Sequence, residues 1–352
     1  MIAKLSTYFT QQATQDQFSG VVRIAQGDEK LFAGAYGYAS RAWQVPNTLE
    51  VRFDTASITK LFTAVATLQL IEQGHLSLDT GVIDFLGLEG TAISRDVNIY
   101  HLLTHSSGIA DDADEEAGES FEEIWRTKPN YSVTETVDFL PQFAYKPANF
   151  APGQGCRYCN CGYVLLGLLI EKISGMGYRD YVRQNIFAKA DMAGSGFFDK
   201  RYVQPNVAEG ADPIEDEAGQ IVGWKRNLYA YPPVGSPDGG AHVTAADLAN
   251  FLRAVQAGTL LGPEMTAALL TPQVKHSDRD GWTQYYGYGL WFRVEPDGTV
   301  QHYGKEGINA GVSAYLRHYP AQDLTVVILS NRENGVWEPM REIHRLVVEA
   351  AL

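Results

Sequence analysis

Ser57-Ile58-Thr59-Lys60 sets a hydroxyl and an amine three residues apart, a spacing that puts both on one face of a helix. Ser57 stands where Phe53-Asp54-Thr55 gives way to a run of helical periodicity, so it occupies a helix start. Free N–H groups and the positive dipole end at such a start favour an oxyanion beside the serine. A lysine stripped of water loses its proton near neutral pH and can then accept one from a serine. The plainer alternative is an N-capping serine followed by a surface lysine, and the S-x-x-K spacing alone does not separate the two.

Two further groups carry possible chemistry. Tyr158-Cys159-Asn160 follows a Pro152-Gly153 turn and precedes the helical run GYVLLGLLIEKISG. In an extended segment residues two apart point the same way, so Tyr158 and Asn160 can face one cleft. A phenol can relay a proton, and an amide can hold a lysine or a substrate. His302-Tyr303-Gly304 lies in the strand-like TVQHYG, where alternation puts His302 and Gly304 on one face. Glycine admits close approach of a ligand, and the next N–H, that of Lys305, is a candidate second oxyanion donor.

Other clusters weigh less. His101 and His105 have i, i+4 spacing, but no glutamate of an HExxH motif sits between them and no third ligand is evident. Cys156, Cys159 and Cys161 fall within six residues, yet they are odd in number and lack a second pair, so they read as packing thiols. Neither a P-loop nor a G-x-G-x-x-G is present. No metal and no cofactor are expected.

These residues need elements to hold them. FSGVVRIA and KLFAGAYGYA read as a hairpin turning at Gln26–Glu29. Ile58, Leu61, Phe62, Val65, Leu68 and Ile71 trace one face of a helix that ends at Gly74. The stretch 95–185 reads as mostly helical, broken by the acidic loop Asp111–Ser120, and 200–245 reads as irregular. A helix over Asp247–Gln256 follows, then strands in GYGLWFRVEP, TVQHYG, GVSAYLRHY and DLTVVILSN, then a closing helix over Trp337–Ala351. The pattern is α+β: one antiparallel sheet built from both termini, flanked by helices, with a helical region inserted. The expected units are 1–60 with 186–352 for the sheet and 61–185 for the helices, with the site between them.

The chain has 352 residues, 45% of them hydrophobic, which is enough for a large core. Its formal charge of −14 repels phosphate backbones and anionic lipid, so neither nucleic acid nor a membrane surface is an expected partner. The first twenty residues lack the apolar stretch of a secretory signal, and no run is long and apolar enough to span a bilayer, so a cytoplasmic location is expected.

Taken in order, S-x-x-K, Y-x-N and H-x-G resemble the serine β-lactamase and penicillin-binding-protein superfamily, in its class C-like branch of esterases, D-aminopeptidases and D-Ala-D-Ala carboxypeptidases. FDTASITKLFTAVATLQLIEQGHLSLD, YHLLTHSSGI, FAPGQGCRYCNCGYVLLGLLIEKISG and GSPDGGAHVTAADLANFL are similar to its flanking segments. The resemblance implies a β-lactamase-like fold and acyl transfer through Ser57, with Lys60 and Tyr158 handling protons and Asn160 organising the cleft. It implies His302, Gly304 and Lys305 on the cleft's edge strand, and small esters or amides as substrates. Transfer to another acceptor, β-lactamase activity and a silent binding protein are the other functions this fold hosts. The chain departs from lactamases in carrying His302 where they usually have lysine. A mostly neutral imidazole there, with the acidic run Asp111–Glu119 near the cleft on that fold, implies neutral esters or amine-bearing amides rather than penicillins.

Overall fold

The computed structural model describes residues 2–351. Among them, eight strands form one antiparallel sheet: β1 (Gly20–Gln26), β2 (Glu29–Tyr36), β3 (Val274–Arg279), β4 (Trp282–Tyr286), β5 (Trp291–Val294), β6 (Val300–Asn309), β7 (Val312–Tyr319) and β8 (Leu324–Ser330). Their spatial order is β2-β1-β8-β7-β6-β5-β4-β3, so the two ends of the chain meet where β1 pairs with β8. Strands β7 and β8 are buried along their whole length, as strands covered on both faces must be.

Five long helices do the covering: α1 (Ile2–Thr14), α2 (Thr59–Glu72), α3 (Asn160–Ser174), α4 (Ala245–Gln256) and α5 (Trp337–Ala351). Leu5 and Phe9 of α1, with Met340 and Ile343 of α5, close one face of the sheet against Val22, Ile24 and Ile328. Helices α2, α3 and α4 lie on the other face and share a single core with Val21, Val327 and Leu329. The hairpin at the N-terminus, the helix after Ser57 and the helix at the C-terminus all form where the sequence places them.

The structure differs from these expectations in four places. The helix after Ser57 is not amphipathic: Thr59 to Leu70 are all buried, because α2 is surrounded by α3, the short helices of 178–187 and that of 263–269. Between Thr104 and Cys159 the chain forms short turns rather than long helices, punctuated by Pro129, Pro141, Pro147 and Pro152. The segment 200–245 contains a small hairpin, Ala211–Glu215 with Ile221–Arg226. Finally, β6 runs on past Gly304 to Asn309, because residues 305–309 stay paired with β7 after β5 has ended. That extension decides which residues reach Ser57. Among the described residues no helix is long and apolar enough to cross a membrane.

Candidate active site

Ser57 lies in a short 3₁₀ turn, Ala56–Ile58, that feeds directly into α2. Ala56 has φ of 43°, a left-handed conformation that L side chains adopt at a cost. Its N–H donates to Asp54 Oδ1 at 2.8 Å, and its carbonyl accepts the Thr59 hydroxyl at 2.7 Å. Those two bonds hold the turn that presents the half-buried Ser57.

Lys60, one helical turn on, is fully buried, and its Nζ lies within hydrogen-bond distance of three oxygens: Asn160 Oδ1 at 2.7 Å, the Asp238 carbonyl at 2.7 Å and Ser57 Oγ at 3.1 Å. Burial lowers its pKa, against the opposing pull of Asp238, Glu115, Asp111 and Asp112. The Asp238 carbonyl belongs to a loop that reaches α2 only because α3 carries Gly167. A Cβ there would sit 2.1 Å from Pro237 Cγ.

Tyr158 and Asn160 arrive together at the start of α3. Asn160 accepts from Lys60 and, through its Nδ2, donates to Asp111 Oδ2 at 3.2 Å and Glu115 Oε1 at 3.3 Å. Asp111 also accepts the N–H groups of Asn160 and Cys161, at 2.8 and 3.0 Å, and so satisfies the free donors of α3's first turn. Burial raises the pKa of Asp111 and raises that of Asp112 much further, the neighbouring Asp111 carboxylate adding to it. The Tyr158 ring rests on His105 at 4.6 Å between centroids, and His105 Nδ1 accepts the Cys159 N–H at 3.2 Å. His105 is kept neutral by burial and by Lys305 and Lys60, so it can play that acceptor role. The Tyr158 hydroxyl is buried without a well-formed hydrogen bond, although Ser57 is near enough to oppose the rise in its pKa. That rise is large, driven by burial and then by the Glu115 carboxylate.

Strand β6, an interior strand between β5 and β7 rather than the edge strand expected, supplies its residues in a different register from the one read in the sequence. His302 does not face Ser57. Its ring packs on Trp291, Tyr319 and His344, with centroids 5.3 to 5.4 Å away, on the opposite face of the sheet. Gly304 shares that parity, and a Cβ there would abut the Leu316 carbonyl of β7 rather than a cleft. Lys305, three residues from His302 and therefore of opposite parity, turns its side chain inward. Its Nζ lies 4.4 Å from the Tyr158 ring centre, with Lys60 Nζ at 5.0 Å from the same ring. Burial lowers the Lys305 pKa to about 8, with Glu306 opposing and Lys60 adding. Gly307 then passes the serine so closely that a Cβ would sit 2.1 Å from the Thr55 carbonyl and 2.9 Å from Ser57 N. The motif at the site is Lys305-Glu306-Gly307. It was visible as K-x-G in the sequence, but the strand expected there stopped at Gly304.

Ser57 opens into a cleft with two lobes that share Glu115 and Ile308. One lobe is mostly apolar, with Phe121, Tyr231 and Val234, and has Lys200 and Asp54 at its end. The other is polar, with Tyr158, Lys305, His276, Arg279 and Gln284. Glu115 and Glu116 bring the acidic run to the cleft, as the resemblance implied, whereas nothing in the sequence announced the Asp238 carbonyl. Each comes from a loop whose course depends on tertiary packing.

The remaining sequence candidates have structural partners. His101 reciprocates with Asn98 in a capping box, its N–H donating to Asn98 Oδ1 at 3.0 Å. The three cysteines are free, and burial pushes the Cys156 thiol up to about 12 and the other two well above their usual value. Asp111, Asp112 and Cys161 offer ligand atoms within 4.8 Å of one another, and here they serve the start of α3. Chelation by EDTA should leave any acyl-transfer rate at Ser57 unchanged, and Cys156→Ser should keep it within a few-fold. Inhibition by EDTA that zinc reverses would contradict this assignment.

Among curated proteins, the chain is 27% identical to Penicillin-binding protein 4 of Amycolatopsis lactamdurans over 336 residues, covering 90% of this chain and 82% of that one. It is 26% identical to Esterase EstB of Burkholderia gladioli over 336 residues, covering 86% and 83%. Among solved structures, the penicillin binding protein from Bacillus halodurans superimposes with a TM-score of 0.87 at 38% identity, covering 96% of this chain and 99% of that one. The D-amino acid amidase from Ochrobactrum anthropi SV3 shares the fold, with a TM-score of 0.78 at 19% identity over 99% and 100% of the two chains. Residues 5–350 match the family described as Beta-lactamase, and the chain belongs to that family.

Proposed function

We propose that this protein is a serine hydrolase that transfers the acyl group of a small ester or amide to Ser57 and then to water. One observation carries the reading. Two of Lys60's three partners, Asn160 Oδ1 and the Asp238 carbonyl, can only accept, and both lie 2.7 Å away. A neutral amine gives them both its hydrogens, which leaves its lone pair directed at Ser57 Oγ, 3.1 Å off. Burial favours that neutral form.

Attack then proceeds with Ser57 Oγ bonding to the acyl carbon while its proton passes to Lys60 Nζ. Tyr158, held protonated by burial and Glu115, gives its proton to the leaving oxygen or nitrogen and is reprotonated from Lys60. The backbone N–H of Ser57 and that of Ile308, the residue after Gly307, are the proposed oxyanion donors. This replaces Lys305 N–H in that role, because the glycine lying against Ser57 is Gly307.

Lys305 in the polar lobe also changes the expected substrate. The preference for neutral substrates rested on His302 standing in the cleft and on the acidic run near it; Glu115 and Glu116 do line the cleft, but Lys305 and not His302 stands there. We infer that acyl donors bearing a carboxylate are accepted, with Lys305 as their counter-charge. The ammonium is present below about pH 8 and lost above it. The ratio of kcat/KM for a carboxylate-bearing substrate to that for a neutral ester should therefore fall as pH rises through about 8. Lys305→Gln should lower this ratio about fivefold at neutral pH, the scale of one partly screened ion pair, and flatten its pH profile. His302→Gln should leave it within a few-fold.

A panel of p-nitrophenyl esters, D- and L-aminoacyl anilides and nitrocefin tests the reading, with mass spectrometry of the quenched reaction. Turnover with a transient acyl group on Ser57 is expected. No turnover and no adduct with any of them would favour a binding protein on the same fold.

A further inference from the structure

We propose a second ligand site on the opposite face of the sheet from Ser57, where a cavity between β4–β7 and α5 takes a small aryl carboxylate with Arg317 as its counter-ion. The cavity is lined by the rings of Trp282, Trp291, Tyr315 and Trp337, with Arg317 at its base and His344 beside it. Arg317 is 8% exposed. Its Nη1 donates to the Tyr319 hydroxyl at 3.3 Å and its Nη2 to the Tyr315 hydroxyl, while its Nε is buried without a partner. Among the described residues no carboxylate forms an ion pair with it. The guanidinium lies over the rings of Trp291, Tyr315 and Tyr319 and stays charged, so an anion from outside would complete its pairing.

The neighbouring charges leave that role open. Arg293 is paired with Glu295 at 2.8 Å, and Arg341 with Glu338. Glu306 is the one carboxylate on the cavity wall, and it accepts the Trp291 indole N–H and acts on Lys305 through the sheet. A ligand anion must therefore approach Arg317 and keep clear of Glu306. Burial depresses the pKa of His302 strongly and that of His344 to about 4, with Arg317 adding in both cases, so the local field is positive. The indole and phenol rings around the guanidinium provide flat apolar walls, which select an aryl group as the body of the ligand.

The cavity shares Gln284 and Glu306 with the polar lobe of the catalytic cleft but none of Ser57, Lys60, Tyr158 or Lys305, so binding there needs no chemistry at Ser57. No tryptophan is among the residues lining the catalytic cleft, whereas three of the six in the chain line this cavity. Tryptophan fluorescence therefore reports it. Phenylacetate should change the emission saturably in wild type, in Ser57→Ala and in protein blocked at the serine by a phosphonate. Benzyl alcohol, which lacks the charge, and acetate, which lacks the ring, should bind at least about tenfold more weakly. Arg317→Gln should weaken phenylacetate by a similar factor while ester turnover stays within a few-fold of wild type. Should Arg317→Gln fail to fold, Met340→Trp, which fills the cavity, serves the same purpose. In either protein the His302 and His344 ring signals should stop responding to ligand. N-acetylphenylalanine is the arm that distinguishes a peptide C-terminus from a free aryl acid. Binding of either sustains the site, and the tighter one identifies the source. No saturable change with both ligands, equal affinity in Arg317→Gln, or loss of binding on blocking Ser57 overturns it.

Discussion

A fluorophosphonate should add one phosphonyl group to this protein, on the peptide that carries Ser57, and Ser57→Ala should take up none. Two features of the site single out that serine. Its Oγ is within hydrogen-bond distance of an amine that burial drives toward neutrality, and it starts a helix whose first N–H groups have no partner inside the helix. Other serines lack the pairing. Ser313, buried on β7, spends its hydroxyl on the Arg332 carbonyl at 2.6 Å, and Ser236 donates to Asp238 Oδ1 at 2.6 Å. Ester turnover in Ser57→Ala should fall by about 10⁴-fold or more, as deletion of a nucleophile does when the rest of the machinery remains. The fold should be kept, since Ser57 is only half-buried and its hydroxyl supports no other element. Undiminished turnover in that variant, or a label found elsewhere, sinks the acyl-serine reading.

The second large effect concerns the two proton carriers. Lys60→Met and Tyr158→Phe should each lower the acylation rate by about 10²–10⁴, the scale of a lost general base or acid. The double variant should be little worse than either single one, because the proton that Lys60 takes from Ser57 is the one that resupplies Tyr158. The two variants should nevertheless differ in stability. Lys60→Met strands Asn160 Oδ1 and the Asp238 carbonyl without a donor, which costs about 1–3 kcal/mol for each buried group. Tyr158→Phe removes a hydroxyl that already lacks a well-formed bond, so its melting temperature should stay close to wild type. Rate losses that multiply in the double variant would assign the two groups to separate steps. Equal melting temperatures for Lys60→Met and wild type would mean that the amine is not the buried hub described here.

Much of the candidate site was legible in the sequence. S-x-x-K at a helix start needs no tertiary information, because the rise and twist of a helix alone put Ser57 and Lys60 side by side. Tyr158 and Asn160 were legible for a related reason, as two residues of like orientation leading into a helix whose apolar run was unmistakable. The antiparallel sheet built from both termini was equally plain, since β1, β7 and β8 are rich in β-branched and aromatic residues.

What tertiary structure alone decided was the third strand motif and how the loops reach the site. His302-x-Gly304 and Lys305-x-Gly307 both fit a strand pattern, and three residues of offset put them on opposite faces of the sheet. Only the course of β6 past the end of β5 shows which one meets Ser57, and pairing between distant segments has no local signature in Lys305–Asn309. The Asp238 carbonyl and the stacking of His105 under Tyr158 are likewise invisible locally. A backbone carbonyl carries no residue identity, and a loop's course follows from what it packs against, here Pro237 seated over Gly167. Helical neighbours are set by covalent geometry and can be read from spacing, whereas contacts across the cleft are set by the packing of the whole core.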